Sequence, residues 1–287
     1  MTLFELPNAE NPEAVADWIE LGLTSGETSL SKAKVSSVIE SVTGSEPEEA
    51  FLSDVWRELE ERQSRYSQRF FLCEEDLVLR APEAASRREY TACLLFSLYG
   101  ASNEHRTGPK LFERLSAEAI KNYLQGRVFV FGWPALQNVQ TDIALRVRDV
   151  ALAARERFVE APAERYKDRG VDVIAWKPFI EHSADEHRSN QVVILAQCAT
   201  GVNWRQKTTQ LPYDSWTQYV HWACNPLRAF AVPRVIRADL WHDVSKEAGI
   251  LFDRIRIVNL LPNGVPQQEL RAAIDEWVGD ELQDSIV

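Results

Sequence analysis

The chain has 287 residues, 45% of them hydrophobic, a proportion typical of a globular protein with a sizeable core. Its formal net charge of −11 argues against a phosphate-binding surface spread over the whole molecule. The cysteines lack the paired spacing of a zinc site, no apolar run approaches the ~20 residues of a membrane span, and the N-terminus does not resemble an export signal. We therefore expect a cytoplasmic protein with reduced thiols and no membrane association.

The charge is distributed unevenly along the chain. Residues 1–100 carry 19 acidic and 9 basic side chains, whereas residues 101–260 carry 18 acidic and 22 basic ones. The acidity therefore belongs largely to the N-terminal third, and the central part of the chain is mildly basic. Three interpretations of the acidic third are open: a solvated helical face, a surface that docks a basic partner, or a shield over an active site.

The first hundred residues predict mainly helices. Asn11 before Pro12 has the form of a helix cap, SLSKAKVSSVIESV predicts a second helix, and Ser45 begins a third. RFFL and LVLR flank an acidic turn at 73–76 and predict a β-hairpin, and residues 88–100 predict a buried helix that ends at Gly100. We assign residues 1–105 to a mostly helical, acidic N-terminal domain that serves recognition, regulation or partner docking.

From residue 106 onward the sequence predicts an α/β domain that extends to residue 287. Pro109 begins an amphipathic helix, KLFERLSAEAIKNYL. After it, strands are expected at 128–132, 171–176, 191–197, 229–232 and 254–258, and helices at 143–159, 204–220, 241–248 and 267–279. The strands at 171–176 and 191–197 are nearly all apolar, as strands buried on both faces are. Helices interleaved with short apolar strands indicate the α/β class.

Two polar residues stand out at the ends of these apolar strands. Asp172 enters the first strand, where a carboxylate is costly to bury unless a cation or hydrogen bonds compensate it. It is thus either a metal ligand or a capped structural carboxylate. Gln197 ends the second strand and would share a face with Asp172 if the strands were hairpin partners. Carboxylate and amide oxygens are suitable ligands for Mg²⁺.

This order of residues resembles the PD-(D/E)xK nuclease superfamily. The resemblance rests on Phe-Glu in a helix, Asp172 in Gly-Val-Asp-Val-Ile-Ala, and a following strand that ends in Gln. Mrr-type restriction endonucleases are the most similar branch, because their second half-motif is Gln-x-Lys. The resemblance covers roughly residues 109–258. It implies a restriction-endonuclease-like core, with a mixed central sheet flanked by helices, and an endonuclease that hydrolyses DNA in a restriction or anti-phage defence system.

Carried over onto this chain, the resemblance makes Glu113 the helical acid, Asp172 the central metal-binding aspartate and Gln197 the third ligand. Mg²⁺ is the implied metal, with Mn²⁺ as a substitute. The family lysine would fall two residues after Gln197, where this chain has Ala199. Lys207 in the next helix is the predicted replacement, with Arg205 as the second choice. Thr200, Asn203 and Arg205 are predicted to contact the DNA backbone.

Several alternatives stay open at this point. Glu156 and Glu160 compete with Glu113 for the role of the acid, and Asp168 fits a turn residue better than a ligand. His182 and His187 are more typical of a solvated loop than of a metal site. The loss of the lysine also permits an inactive nuclease-fold subunit that binds DNA or protein, and the match to the motif can be accidental in a scaffold protein. No nucleotide-binding motif is present, so an ATPase or helicase activity would come from a partner. A homodimer is a further possibility.

Overall fold

The structure, a computed structural model, describes residues 4–82, 84, 87–100, 107–132, 142–161, 170–179, 188–211 and 213–284. The N-terminal part contains helices α1 (Pro12–Ser25), α2 (Lys32–Thr43), α3 (Glu49–Arg65) and α4 (Arg88–Tyr99), with strands β1 (Ser29–Ser31), β2 (Phe71–Cys73) and β3 (Leu77–Arg80). The predicted hairpin is confirmed, since β2 and β3 pair antiparallel. β1, which the sequence did not predict, adds to the other side of β3.

The remaining elements in the described part of the chain form the α/β part. The helices are α5 (Thr107–Leu124), α6 (Ile143–Ala153), α7 (Trp204–Lys207), α8 (Tyr213–Tyr219), α9 (Ala238–Ala248), α10 (Arg254–Asn259) and α11 (Gln268–Asp284). The strands are β4 (Arg127–Val130), β5 (Arg157–Phe158), β6 (Val173–Lys177), β7 (Val192–Cys198), β8 (Val220–His221), β9 (Leu227–Ala231) and β10 (Ile250–Phe252). None of the helices in the described ranges is long and apolar enough to cross a bilayer.

A five-stranded mixed sheet is the centre of the α/β part. Its strand order is β10-β9-β7-β6-β4. β7, β9 and β10 run parallel, and β6 is antiparallel to both of its neighbours, β7 and β4. The carboxyl ends of β4, β7, β9 and β10 therefore meet the start of β6 at one edge of the sheet, and we call this the carboxyl edge. The predicted mixed sheet flanked by helices is confirmed.

Apolar layers cover both faces of the sheet. One face presents Val173, Ala175, Ile194 and Ala196 to a core that also includes buried residues of α1, α4, α5 and α11. The other face packs against α6 and α8 through Ile174, Leu195 and Trp216, and against α9 through Phe230. The N-terminal helices thus share one core with the sheet. The predicted domain boundary at 105/106 lies outside the described residues and stays a prediction.

Some predicted elements in the α/β part were wrong. Residues 254–258 form α10 and not a strand, because the Asp253 carboxylate accepts the backbone N–H of Arg256 and caps a helix, while the strand lies earlier, at Ile250–Phe252. The helix predicted over 143–159 ends at Ala153 and is followed by β5. The single helix predicted over 204–220 is two short helices, α7 and α8.

A buried ionic network joins the N-terminal helices to α10. Arg62 donates to Asp17 at 2.6 Å and to Glu20 at 2.7 Å, and Arg254 donates to the same Asp17 oxygen at 2.7 Å. Tyr90 also donates to Glu20. Burial alone would raise the pKa of Asp17, but Arg254 and Arg62 outweigh burial and hold that pKa well below its usual range. The Asp17 carboxylate therefore stays ionised and paired inside the core.

Candidate active site

The β6–β7 hairpin brings the two predicted ligands to the carboxyl edge. Val173 pairs with Ala196, so the next residues outward on the two strands are Asp172 and Gln197. The hairpin pairing that the sequence analysis assumed is therefore confirmed. At this point the ladder becomes irregular, because Oδ2 of Asp172 accepts the backbone N–H of Cys198 at 2.7 Å. The backbone oxygen of Asp172 in turn accepts the N–H groups of Phe131 and Gly132.

Glu113 approaches the same edge from α5. Its side chain is buried, at 7% exposure, and both of its carboxylate oxygens accept hydrogen bonds from Lys110 Nζ at 2.9 Å. The carboxylate lies against Gly132, where an added Cβ would be 2.0 Å from Oε2 of Glu113. Since Gly132 also bonds to the Asp172 backbone, this glycine connects the two acidic residues and leaves room for the Glu113 carboxylate.

The thiol of Cys198 lies within electrostatic reach of both carboxylates. Burial raises the pKa of Cys198 well above its usual range, and the negative charges of Asp172 and Glu113 raise it further. The Ser116 hydroxyl and the Lys110 ammonium, both on α5, act in the opposite direction. These residues, Lys110, Glu113, Ser116, Asp172 and Cys198, form what we call the acidic cluster.

Gln197 has a buried acceptor without a donor. Its side chain is 8% exposed, and its Oε1 has no hydrogen-bond partner among the described residues. A buried carbonyl oxygen without a donor costs about 1–3 kcal/mol, so such an atom calls for an explanation. A cation, or water bound to one, would satisfy it.

The donor set fits Mg²⁺ in chemical type. Asp172, Glu113 and Gln197 offer oxygen ligands, which Mg²⁺ prefers, and Mg²⁺ keeps several waters when few protein ligands are available. Within the described ranges, no three His, Cys, Asp or Glu side chains group closely enough to hold a metal by themselves. A metal at this edge would therefore depend on the carboxylates, the amide and water, and it would share Glu113 with the Lys110 ammonium.

The other acids predicted as rivals have different surroundings. Glu156 accepts the backbone N–H groups of Asn190 and Ala223, which makes it a loop cap. Glu160 is exposed and lies beyond β5. Asp168, His182 and His187 lie outside the described residues. Of the three glutamates considered from the sequence, Glu113 is the one found in the acidic cluster.

The predicted basic residue and the predicted DNA contacts lie beyond the end of β7. Lys207 is half-buried on α7, and its ammonium makes no hydrogen bond or ion pair with another described residue. Ala199, at the position where the sequence resemblance expects a lysine, is buried with Phe230 and Val232 in the apolar core under α9. The lysine that the structure places beside an acid of the cluster is Lys110, three residues before Glu113. The i,i+3 spacing of Lys110 and Glu113 on a predicted helix is the sequence signal that indicates such a pair.

Asn203 and Arg205 are both exposed, and the Arg205 guanidinium lies 5.7 Å from the ring centroid of Trp204. Thr200 is buried, at 8% exposure. All three follow the carboxyl end of β7, on the edge that also contains Asp172.

Comparisons with known proteins add little. No family model and no curated protein sequence matches the chain. A solved structure of the restriction endonuclease FokI is similar, at a TM-score of 0.23 and 8% identity. The alignment covers 90% of this chain and 46% of that one, so this chain spans about half the length of that enzyme. At that level of similarity, neither the fold nor the activity of this chain follows from the comparison.

Proposed function

We propose that this protein is a metal-dependent endonuclease of the restriction-endonuclease-like type, which hydrolyses phosphodiester bonds in DNA. The observation that carries the proposal is the acidic cluster. Glu113 from a helix and Asp172 from a hairpin strand lie at one edge of a mixed sheet, and the orphaned amide oxygen of Gln197 follows on the partner strand. We take the Mrr-type resemblance and a role in anti-phage defence as part of this proposal.

Asp172, Glu113 and Gln197 would hold Mg²⁺ or Mn²⁺. The metal would supply a more acidic bound water and neutralise charge on the scissile phosphate. Asp172 is held in place by the Cys198 N–H, which fixes the direction of its carboxylate. Glu113 is positioned by Lys110 and by the space at Gly132. Rigid placement of this kind is what a phosphate-hydrolysing site requires.

Lys110 is the basic residue that we assign to this site, and Lys207 is the alternative from the sequence. If Glu113 were shared between Lys110 and a metal, the Lys110 ammonium would keep donors for an oxygen of the scissile phosphate. Lysine serves as a compact positive charge in such a role. Thr200, Asn203 and Arg205 are proposed to contact the DNA backbone beyond the end of β7.

The test is cleavage of supercoiled and linear DNA in Mg²⁺, Mn²⁺ or EDTA. Asp172→Asn keeps an acceptor for the Cys198 N–H and removes the charge, so we expect metal-dependent cleavage to be lost without unfolding. Lys110→Met and Lys207→Met separate the two lysines. Lys121→Met is the matched control, because Lys121 also lies on α5 and pairs with a glutamate, Glu118, at i,i+3 spacing.

Cleavage lost with Lys110→Met and kept with Lys207→Met and Lys121→Met assigns the lysine to α5. The reverse result assigns it to α7. Cleavage that persists in Asp172→Asn, or that does not require a metal, would refute the proposed site.

A second candidate is a non-catalytic subunit that binds DNA or protein. Two observations favour it: Ala199 replaces the motif lysine inside an apolar core, and both oxygens of Glu113 are already bonded to Lys110. No cleavage under any condition, together with DNA binding by the same samples, would support this candidate over the enzyme. The same assay is to be repeated with an added ATPase or helicase partner. The oligomeric state of the protein is to be measured on the same samples.

A further inference from the structure

A cleft of about 360 Å³ opens between the N-terminal part of the chain and the carboxyl edge of the sheet. None of the acidic-cluster residues lines it, so it is separate from the proposed catalytic site. Its lining includes Glu13 and Asp17 of α1, Val202 and Trp204 after β7, and Arg234 and Arg237 after β9.

Arg234 is a half-buried cation of this cleft whose side chain makes no hydrogen bond to another described residue. Its Nε is shielded from solvent and has no acceptor, and no hydrogen bond or ion pair joins its guanidinium to another described residue. Burial lowers the pKa of Arg234, and the negative charges of Asp17 and Glu13 offset part of that effect without bonding to the guanidinium. Buried charged donors are normally paired, so an unsatisfied one marks a place where an acceptor belongs.

The carboxylates of the cleft do not fill that role. Glu13 accepts from Arg237 at 3.5 Å. Asp17 accepts from Arg62 and Arg254 at 2.6 and 2.7 Å. Each cleft carboxylate is thus bonded to a different arginine. Among the described lining residues, Arg234 is the arginine left with no acceptor.

The lining of the cleft also includes apolar, partly exposed side chains. Val202 is 74% exposed and Leu240 is 40% exposed, and half-buried Trp204 lies between the cleft and the α9 core. An aromatic ring and an arginine with an unsatisfied donor in the same cleft suit a ligand with a flat ring and an anionic group. The planar fork of arginine matches phosphate oxygens. The volume lies at the lower end of the range for small-ligand sites.

We propose that this cleft binds a nucleoside phosphate, whose phosphate accepts hydrogen bonds from Arg234 and whose base lies on Trp204. The nucleotide can be free or can be the terminal nucleotide of a DNA strand. The proposal does not depend on the proposed nuclease activity, because the cleft and the acidic cluster share no residue.

Binding is measured by calorimetry in EDTA with AMP, adenosine and inorganic phosphate, and with an oligonucleotide carrying either a 5′-phosphate or a 5′-hydroxyl. The wild-type protein should bind AMP more tightly than either of its parts. Arg234→Gln should weaken AMP binding by about tenfold or more, as expected for the loss of a charge-assisted contact. Trp204→Leu should weaken AMP and leave inorganic phosphate unchanged. Arg148→Gln, an exposed arginine on α6, is the matched control.

A protein that binds none of these probes, or an Arg234→Gln variant with wild-type affinity for AMP, would overturn the proposal. Tighter binding of the 5′-phosphorylated strand than of AMP identifies a DNA end as the source, and the reverse identifies a free nucleotide. Since Arg234 makes no hydrogen bond to a described residue, Arg234→Gln should unfold within about 1 kcal/mol of the wild type. Asp172→Asn should keep AMP binding, so failure of the catalytic proposal and failure of this one give different results.

Discussion

Replacement of Gly132 by alanine tests the geometry of the acidic cluster most directly. The new Cβ would lie 2.0 Å from Oε2 and 2.5 Å from Cδ of Glu113. The φ angle of Gly132 is not positive, so alanine is compatible with the backbone and the effect is steric. The obstructing atoms are the end of a flexible side chain, so we expect the Glu113 carboxylate to move and the strand to stay in place.

The expected loss of stability follows from the hydrogen bonds that this movement of the Glu113 carboxylate would break. The carboxylate would leave both 2.9 Å contacts with Lys110, and a hydrogen bond between charged groups contributes about 1.5–3 kcal/mol. Part of that loss is offset when the displaced carboxylate regains water at the edge of the sheet. We therefore expect Gly132→Ala to lower the free energy of unfolding by about 1–2 kcal/mol. DNA cleavage should be lost as completely as in Glu113→Ala.

Urea unfolding and plasmid cleavage of the same samples provide the measurements. Gly279→Ala in α11 is the control, because a Cβ there meets nothing within 4 Å. The double variant Gly132→Ala/Glu113→Ala should be about as stable as Glu113→Ala, since the clash has gone. An equal loss of stability from Gly132→Ala in both backgrounds would refute the reasoning, as would full cleavage by Gly132→Ala alone.

Four further predictions follow from the buried polar groups. Gln197→Met removes an unsatisfied acceptor and keeps a similar side-chain volume. The free energy of unfolding in EDTA should therefore be unchanged or rise by about 1 kcal/mol. Any stabilisation of the protein by added Mg²⁺ should become smaller. Arg254→Met leaves buried carboxylates short of a partner and should cost about 3–5 kcal/mol in urea unfolding. Arg254 and Arg62 outweigh burial and depress the pKa of Asp17 in the folded protein. The stability that this carboxylate contributes is therefore present above its unfolded pKa of about 4 and is lost as pH falls below that value. Urea denaturation measured from pH 5 to pH 2 should show this loss. Burial and the nearby carboxylates raise the pKa of Cys198, so at pH 8 iodoacetamide should modify exposed Cys224 well before Cys198, as peptide mass mapping would show.

Each of these predictions has an outcome that would contradict it. A large loss of stability in Gln197→Met would mean that its amide oxygen has a donor. An Arg254→Met variant as stable as wild type, or a stability that stays constant down to pH 2, would mean that the network contributes little. Rapid modification of Cys198 would place its thiol outside the cluster.

The hairpin at the centre of the site was predictable because its signal is local. Two apolar runs of strand length, each with a single polar residue at one end, allow few registers that bury both faces. The structure has the register that brings Asp172 and Gln197 to adjacent strand ends. The Asn11 cap is local as well, and its side chain accepts the backbone N–H of Ala14 as expected.

The missed features depend on contacts between distant parts of the chain. Residues 254–258 alternate in polarity as a strand does, but Arg254 reaches Asp17 inside the core, and that contact requires a helix capped by Asp253. Nothing in the sequence near Gly132 indicates that Glu113 would occupy the space beside it. The choice of Lys110 over Lys207 likewise depends on how α5 packs against the sheet, which local spacing does not determine.

The buried network also bears on how the chain folds during synthesis. Asp17 and Glu20 leave the ribosome early together with Arg62, whereas Arg254 follows 237 residues after Asp17. At about 5–20 residues per second, Arg254 is added roughly 10–40 s after Arg62. During that interval the first helices hold three carboxylates, those of Asp17, Glu20 and Glu58, against the single arginine Arg62. Their apolar faces also lack the sheet that later covers them. We therefore expect the nascent N-terminal segment to be a chaperone substrate until α10 emerges and completes the network.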